Sequence, residues 1–247
     1  PQGSNNFLEV IVAGDGRLRM RSALVKALSS ILSISTGASI GREGSIVQLT
    51  GMFSSKAGQL ADWQPYRLRL LVACGAAAGL AAAYNAPVAG AVFAAQIVLR
   101  NFSMNLFAPL VFASVVATMV SRSFFGIGPW YAVPKFDPPR LTQLFWFLLL
   151  GVLTGGLGAL FLKMLRYSED LFARLAWPIY GRLALGGLFV GMIAVAYPEV
   201  WGNGYSVTNR LLREEILRES FPLWFLLGIF LAKLLATVVA VGSGTVG

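Results

Sequence analysis

Apolar segments follow one another along the whole chain, separated by short charged joints. They run approximately over Ser22–Thr36, Ser45–Leu60, Leu70–Tyr84, Pro87–Leu99, Leu106–Val120, Leu141–Met164, Ile179–Tyr197 and Leu223–Gly242. A chain with this pattern has far more apolar surface than one water-soluble core can hide, so the bilayer becomes its solvent. Charge content agrees: 13% of the 247 residues are Asp, Glu, Lys or Arg, against about 25% in a soluble domain. Because the apolar segments recur to the last residue, a secretory signal does not account for them.

A straight membrane span takes about 20 residues. Leu141–Met164, Ile179–Tyr197 and Leu223–Gly242 reach that length; the other segments are short and cut by Gly or Pro. Short, broken segments suit helices that stop inside the membrane, where freed backbone groups line a polar cavity. Runs of small residues, Gly75 to Gly79 and Gly151 to Gly158 (Gly155 and Gly156 among them), are read as surfaces for close helix packing. The loop Gly126–Arg140 carries Pro129, Pro134, Pro138 and Pro139 and is read as interfacial, with Trp130 and Tyr131 as anchors. Tyr205–Glu219, where Arg210 faces Glu214 and Glu215 faces Glu219 at helical spacing, reads as a solvated surface helix.

The net charge is +9, and the basic residues sit at the edges of apolar segments: Arg17, Arg19, Arg21 and Lys26; Arg67 and Arg69; Lys163, Arg166, Arg174 and Arg182; Arg210, Arg213 and Arg218. Such placement serves topology and lipid headgroups. It lacks the aromatic interleaving of a nucleic-acid surface. There is no histidine and one cysteine, Cys74, within an apolar run. That removes imidazole metal sites, histidine proton relays, an internal disulfide and Ser-His chemistry, and it implies no metal and no cofactor.

From Ala27 to Ser55 the only ionisable side chains are Arg42 and Glu43, inside Gly41-Arg42-Glu43-Gly44. A charge near the bilayer midplane costs roughly 2.5–3.5 kcal/mol on insertion scales, so this pair is read as functional. A helix is expected to end near Ser35 and another to start near Ser45, with Ser45 as N-cap. Gly41 and Gly44 would supply unusual backbone angles and exposed amides. A buried helix N-terminus, carrying roughly +0.5 charge and unpaired N–H donors, attracts an anion. Glu43 can occupy that anion position when ionised and vacate it when protonated, which makes it a gate and a proton carrier. The competing structural reading is a simple Arg42–Glu43 pair at a loop edge. A second break follows at Tyr84-Asn85-Ala86-Pro87, with Pro87 as first helical residue and Asn85 as its cap.

These segments together resemble the CLC chloride channel and transporter family. Ser39-Ile40-Gly41-Arg42-Glu43-Gly44-Ser45 is similar to its GREGP signature, with Ser45 in place of proline. The run Gly75 to Gly90 is similar to the family's GAAAGLAAAFNAPLAG, and the two motifs keep the family's order and spacing. The resemblance extends weakly over the chain and is closest to the bacterial, ClcB-like branch. It implies an all-α membrane fold: a CLC-type bundle of tilted, partly broken transmembrane helices with inverted-repeat architecture. Residues 1–247 would form one partial transmembrane domain, the end of a first half-repeat to about 122 and the start of a second over 141–247. Pro1-Gln2 resembles the tail of the GSGIP motif, and Gly242 to Gly247 the lead-in to GxFxP, so the resemblance reads the chain as an internal fragment truncated at both ends.

By the same resemblance Glu43 is the external gating glutamate. Gly41, Arg42, Glu43, Gly44, Ser45 and Ile46 surround the anion; the resemblance assigns Arg42 no role of its own, and a structural counter-charge is the reading left for it. Pro87–Leu99 and Asn105–Val120 supply a homodimer interface, and the protein is a multi-pass protein of the inner membrane. Gln96 and Ile97 fall where proton-coupled members often carry an acidic pair, and neither can carry a proton. The leading expectation is therefore chloride and similar anions moving with weak or no proton coupling, with chloride/proton antiport as the alternative. Gly37-Ala38-Ser39-Ile40-Gly41 also matches the G-x-S-x-G nucleophile elbow. An intramembrane hydrolase on Ser39 is the lesser alternative, since the chain has no histidine base. A non-enzymatic role is expected.

Overall fold

The computed structural model describes Phe7, Ile11, residues 14–128, Tyr131, Val133, 141–213 and 222–247. Among these residues there are helices and turns but no strands. We label the α-helices α1 (Met20–Ser35), α2 (Glu43–Leu60), α3 (Pro65–Tyr84), α4 (Pro87–Phe93), α5 (Met104–Phe125), α6 (Leu144–Arg174), α7 (Ile179–Ala196), α8 (Tyr205–Leu212) and α9 (Leu223–Ser243). A π-helical turn, Ala94–Leu99, continues α4, and short 3₁₀ turns occupy Leu141–Gln143 and Pro198–Val200.

Among the described residues, five helical segments are long and apolar enough to cross a membrane: α3, α5, α6 with its preceding 3₁₀ turn, α7 and α9. Sequence reading finds three. The two missed, α3 and α5, extend past their apolar centres into flanks that carry Arg67, Arg69 and Arg122. Length counted on apolar residues alone omits those turns.

The chain forms two compact units. One comprises Pro1–Leu32, Gly41–Trp130 and Val246–Gly247; the other comprises Ser33–Ile40 and Tyr131–Thr245. In the first unit α3 is central and packs on α2, α4 and α5. In lipid the hydrophobic effect does not drive helices together, so close backbone approach must do so. The α3 sequence provides for this. A Cβ placed on Gly75 would lie 2.7 Å from the Thr50 carbonyl oxygen, and one on Gly79 would lie 2.8 Å from Thr50 Cγ2. Gly90 of α4 approaches the Ala77 carbonyl just as closely, at 2.6 Å from a built Cβ. Met52, Val72, Ala73, Ala76, Ala77, Ala91 and Leu110 fill the space between, all fully buried.

In the second unit α9 packs on α6, α7 and the 198–200 turn. Ala232, Ala236 and Ala240 of α9 meet Val190 and Val200. Ser168 of α6 donates its hydroxyl to the Val238 carbonyl at 2.9 Å. Lys233 reaches across to the backbone, its Nζ donating to the carbonyls of Val200 (2.8 Å) and Gly202 (2.5 Å). A charge inside an apolar helix needs such partners.

Two expectations are corrected here, and a third is met in part. No atom lies within 4 Å of a Cβ built on Gly151, Gly155, Gly156 or Gly158, so within the described chain these glycines are not packing contacts. Asn85 does not cap α4: it stands in the left-handed region (φ 55°) as the C-cap of α3, and α4 starts on Pro87 with Ala86 before it. The surface helix predicted over Tyr205–Glu219 is seen as α8 to Leu212, and 214–219 lie outside the described residues. Pro1-Gln2 and the loop residues Pro129, Trp130, Pro134, Pro138 and Pro139 lie outside them as well. Tyr131 packs its ring on Tyr205, centroids 5.3 Å apart.

Candidate functional site

The approach to the site is built by a helix stop. Helix α1 ends in a left-handed glycine, Gly37 (φ 94°). The Ala38 N–H bonds to the Ser33 carbonyl (3.0 Å) and the Gly37 N–H to the Ile34 carbonyl (3.1 Å), the paired bonds of a Schellman end. This is a position where only glycine is free of strain. Ser39 follows, 1% exposed, with its hydroxyl 3.0 Å from that of Thr237. A buried hydroxyl shared with another hydroxyl is a packing contact rather than an activated nucleophile.

Helix α2 then starts three residues earlier than the sequence reading places it, with its cap at Arg42 instead of Ser45. Its first residue is Glu43 and its cap position is Arg42, with no side-chain cap bond. Ser45 is therefore the third helical residue and not the N-cap. The physical reason is visible in the sequence: a carboxylate in the first turn favours the positive helix end, so Glu43 joins the helix rather than preceding it. The Ile46 N–H closes the first turn on the Arg42 carbonyl at 3.1 Å. That commits the Ile46 amide, and the helix geometry leaves the N–H groups of Glu43, Gly44 and Ser45 outside its own ladder. Ser45 is 6% exposed, and its hydroxyl oxygen is buried without a hydrogen-bond partner.

Gly41 and Gly44 do not use positive φ, contrary to expectation. They are needed for space. A Cβ on Gly41 would run into the Glu43 carboxylate, which folds back over that backbone. A Cβ on Gly44 would lie 2.8 Å from the Gly247 carbonyl oxygen. Arg42 and Glu43 are both half-buried.

Sequence reasoning missed one member of this cluster. The Tyr84 hydroxyl, at the last residue of α3, donates to Glu43 Oε1 at 2.5 Å. Its neighbour Asn85 accepts from Arg122 Nε (2.6 Å) and donates to the Ile127 carbonyl (3.1 Å). The only signal for Tyr84 in the sequence is a hydroxyl-bearing ring where the resembling motif has phenylalanine. Gln96 and Ile97, by contrast, sit in the π turn on its exposed side, away from the buried Ala94, Ala95 and Val98.

A family model described as "Voltage gated chloride channel" matches residues 2–247. A ClcB-like chloride channel protein of Ralstonia nicotianae is 43% identical over 250 residues, covering all of this chain and 57% of that protein. The voltage-gated ClC-type chloride channel ClcB of Citrobacter koseri is 33% identical over 252 residues, covering all of this chain and 58% of that protein. The chain thus spans somewhat more than half the length of these relatives. Among solved structures, a slow cyanobacterial Cl⁻/H⁺ antiporter matches 99% of this chain and 57% of its own with a TM-score of 0.82 at 26% identity. A CLC-type fluoride/proton antiporter shares the fold, with a TM-score of 0.77 at 21% identity over 100% of this chain and 61% of its own.

Proposed function

The chain belongs to the voltage-gated chloride channel (CLC) family, a family of multi-pass membrane proteins, and on that premise we propose that it carries chloride and similar monovalent anions along a path gated by Glu43. One observation carries the reading. The start of an 18-residue helix holds a buried, unpartnered hydroxyl, Ser45, and a carboxylate, Glu43, folds over the glycine just before it. The helix end offers the amides of Glu43, Gly44 and Ser45 to a negative charge. An anion there is held by these amides and the Ser45 hydroxyl, with Gly41 leaving room for the Glu43 carboxylate and Gly44 for the Gly247 carbonyl. Arg42 supplies positive potential beside it, and Ile46 closes the first turn that fixes the donors. The Glu43 carboxylate competes for the same field while ionised and releases it on protonation.

Transport is weakly coupled or uncoupled to protons in this reading. Ile97 stands where coupled members of the family often, though not always, carry an internal acid, and it cannot take a proton. The second reading, chloride/proton exchange, is favoured by the fold shared with a Cl⁻/H⁺ antiporter. The protein acts as a homodimer in which the 87–99 and 105–120 segments face a second copy. The exposed row Phe112, Val116, Met119 and Val120 on α5 provides the apolar contact.

The test of the gate is chloride flux in proteoliposomes across pH. Glu43→Gln imitates the protonated acid, so flux persists and its pH dependence flattens. A Glu43→Gln variant that keeps the wild-type pH profile removes Glu43 as the gate.

A further inference from the structure

We propose that the Tyr84 hydroxyl latches the Glu43 carboxylate in the closed position. The inference rests on Glu43 being the gate and goes beyond it, because it assigns the force that holds the gate shut to a residue of another helix.

The geometry is that of a strong hydrogen bond. Oη to Oε1 is 2.5 Å, the short end of the range for a hydroxyl donating to an ionised carboxylate. The carboxylate is thereby confined on two sides, by the phenol of α3 and by the backbone of Gly41 against which it folds. The donor also stands on a fixed post. Tyr84 ends α3, and the next residue, Asn85, is held by Arg122 and by the Ile127 carbonyl. Ser121 of α5 donates to the Ala82 carbonyl at 3.1 Å. The phenol therefore cannot follow the carboxylate far without disturbing the α3–α5 contact.

Such a latch distinguishes the two forms of the gate. A hydrogen bond to a charged acceptor is worth about twice one to a neutral acceptor. The latch is firm while Glu43 is ionised and weak once it is protonated. Among the described residues, Tyr84 from α3 touches the carboxylate, Arg42 precedes Glu43 in the chain, and Arg122 from α5 reaches Asn85, the residue after Tyr84.

The experiment is a double-mutant cycle in the full-length protein in proteoliposomes. Chloride flux is measured from acid to neutral pH for wild type, Tyr84→Phe, Glu43→Ala and the double variant, beside Glu43→Gln. Tyr84→Phe removes one oxygen. It should raise flux at neutral pH by about tenfold, the loss of one charge-assisted bond, and move acid activation to higher pH. In the Glu43→Ala background the same change should alter flux by less than about twofold. 3-Fluorotyrosine at position 84 keeps the ring and strengthens the donor, so activation should move to lower pH. An unchanged profile in both Tyr84 variants overturns the latch, as does an equal effect of Tyr84→Phe with and without Glu43. Those outcomes with a flattened Glu43→Gln profile remove the latch alone; an unflattened Glu43→Gln profile removes the gate beneath it.

Discussion

At the scale of residues, the site divides into what a sequence shows and what only folding brings together. The Arg42–Glu43 pair is legible because charge is scarce: nothing else ionisable lies between Ala27 and Ser55. Ser45 is legible as a helix-start residue, but its task differs. At the third helical position its hydroxyl is buried and unpartnered instead of capping the helix. Tyr84 is not legible, since its partner lies 41 residues away and a tyrosine at the end of an alanine-rich helix reads as an interfacial ring. The orphan hydroxyl leads to a prediction. Ser45→Ala should weaken chloride binding by about tenfold, the net worth of one hydrogen bond to a charged partner, while the fold is retained. Isothermal titration with chloride in detergent measures it, and an unchanged affinity excludes Ser45 from the anion's contacts.

At the scale of elements, positions of helices follow from the apolar pattern, and their lengths follow less well. The ends of α1 and α3 are set by left-handed Gly37 and Asn85, and Pro87 starts α4, all turn chemistry a sequence displays. The π turn at Ala94–Leu99 is not displayed, because nothing in an alanine-rich stretch marks one extra residue per turn. Glycine separates into two kinds that composition cannot tell apart. Gly79 is filled by Thr50, and Gly155 touches nothing in the described chain. Gly79→Ala should therefore lower the thermal midpoint in detergent by several degrees through overpacking, whereas Gly155→Ala should leave it equal or slightly raised by helix propensity. Equal losses at the two sites would show that α6 has a packing partner. Lys233 is a third case. Lys233→Met strips the Val200 and Gly202 carbonyls of their donor and should cost about 1–3 kcal/mol, read as earlier proteolysis of the 198–204 turn.

At the scale of the molecule, membrane residence is plain from the recurrence of apolar segments, and among the described residues five helices rather than three are long and apolar enough to span. Whether protons travel with the anion is a property of the whole path. Opposed chloride and proton gradients across a proteoliposome decide it: the reversal potential should sit at or near the chloride equilibrium value and shift little with the pH gradient. A large proton-dependent offset would establish exchange. Helix α6, finally, has 31 residues, a rod of about 46 Å at about 1.5 Å per residue, set in an oil layer about 30 Å deep. A rod that long must lean, or push its charged last turns into the headgroups. Membrane thickness then becomes a control on the protein, because thicker lipid stands the rod upright and thinner lipid lays it over.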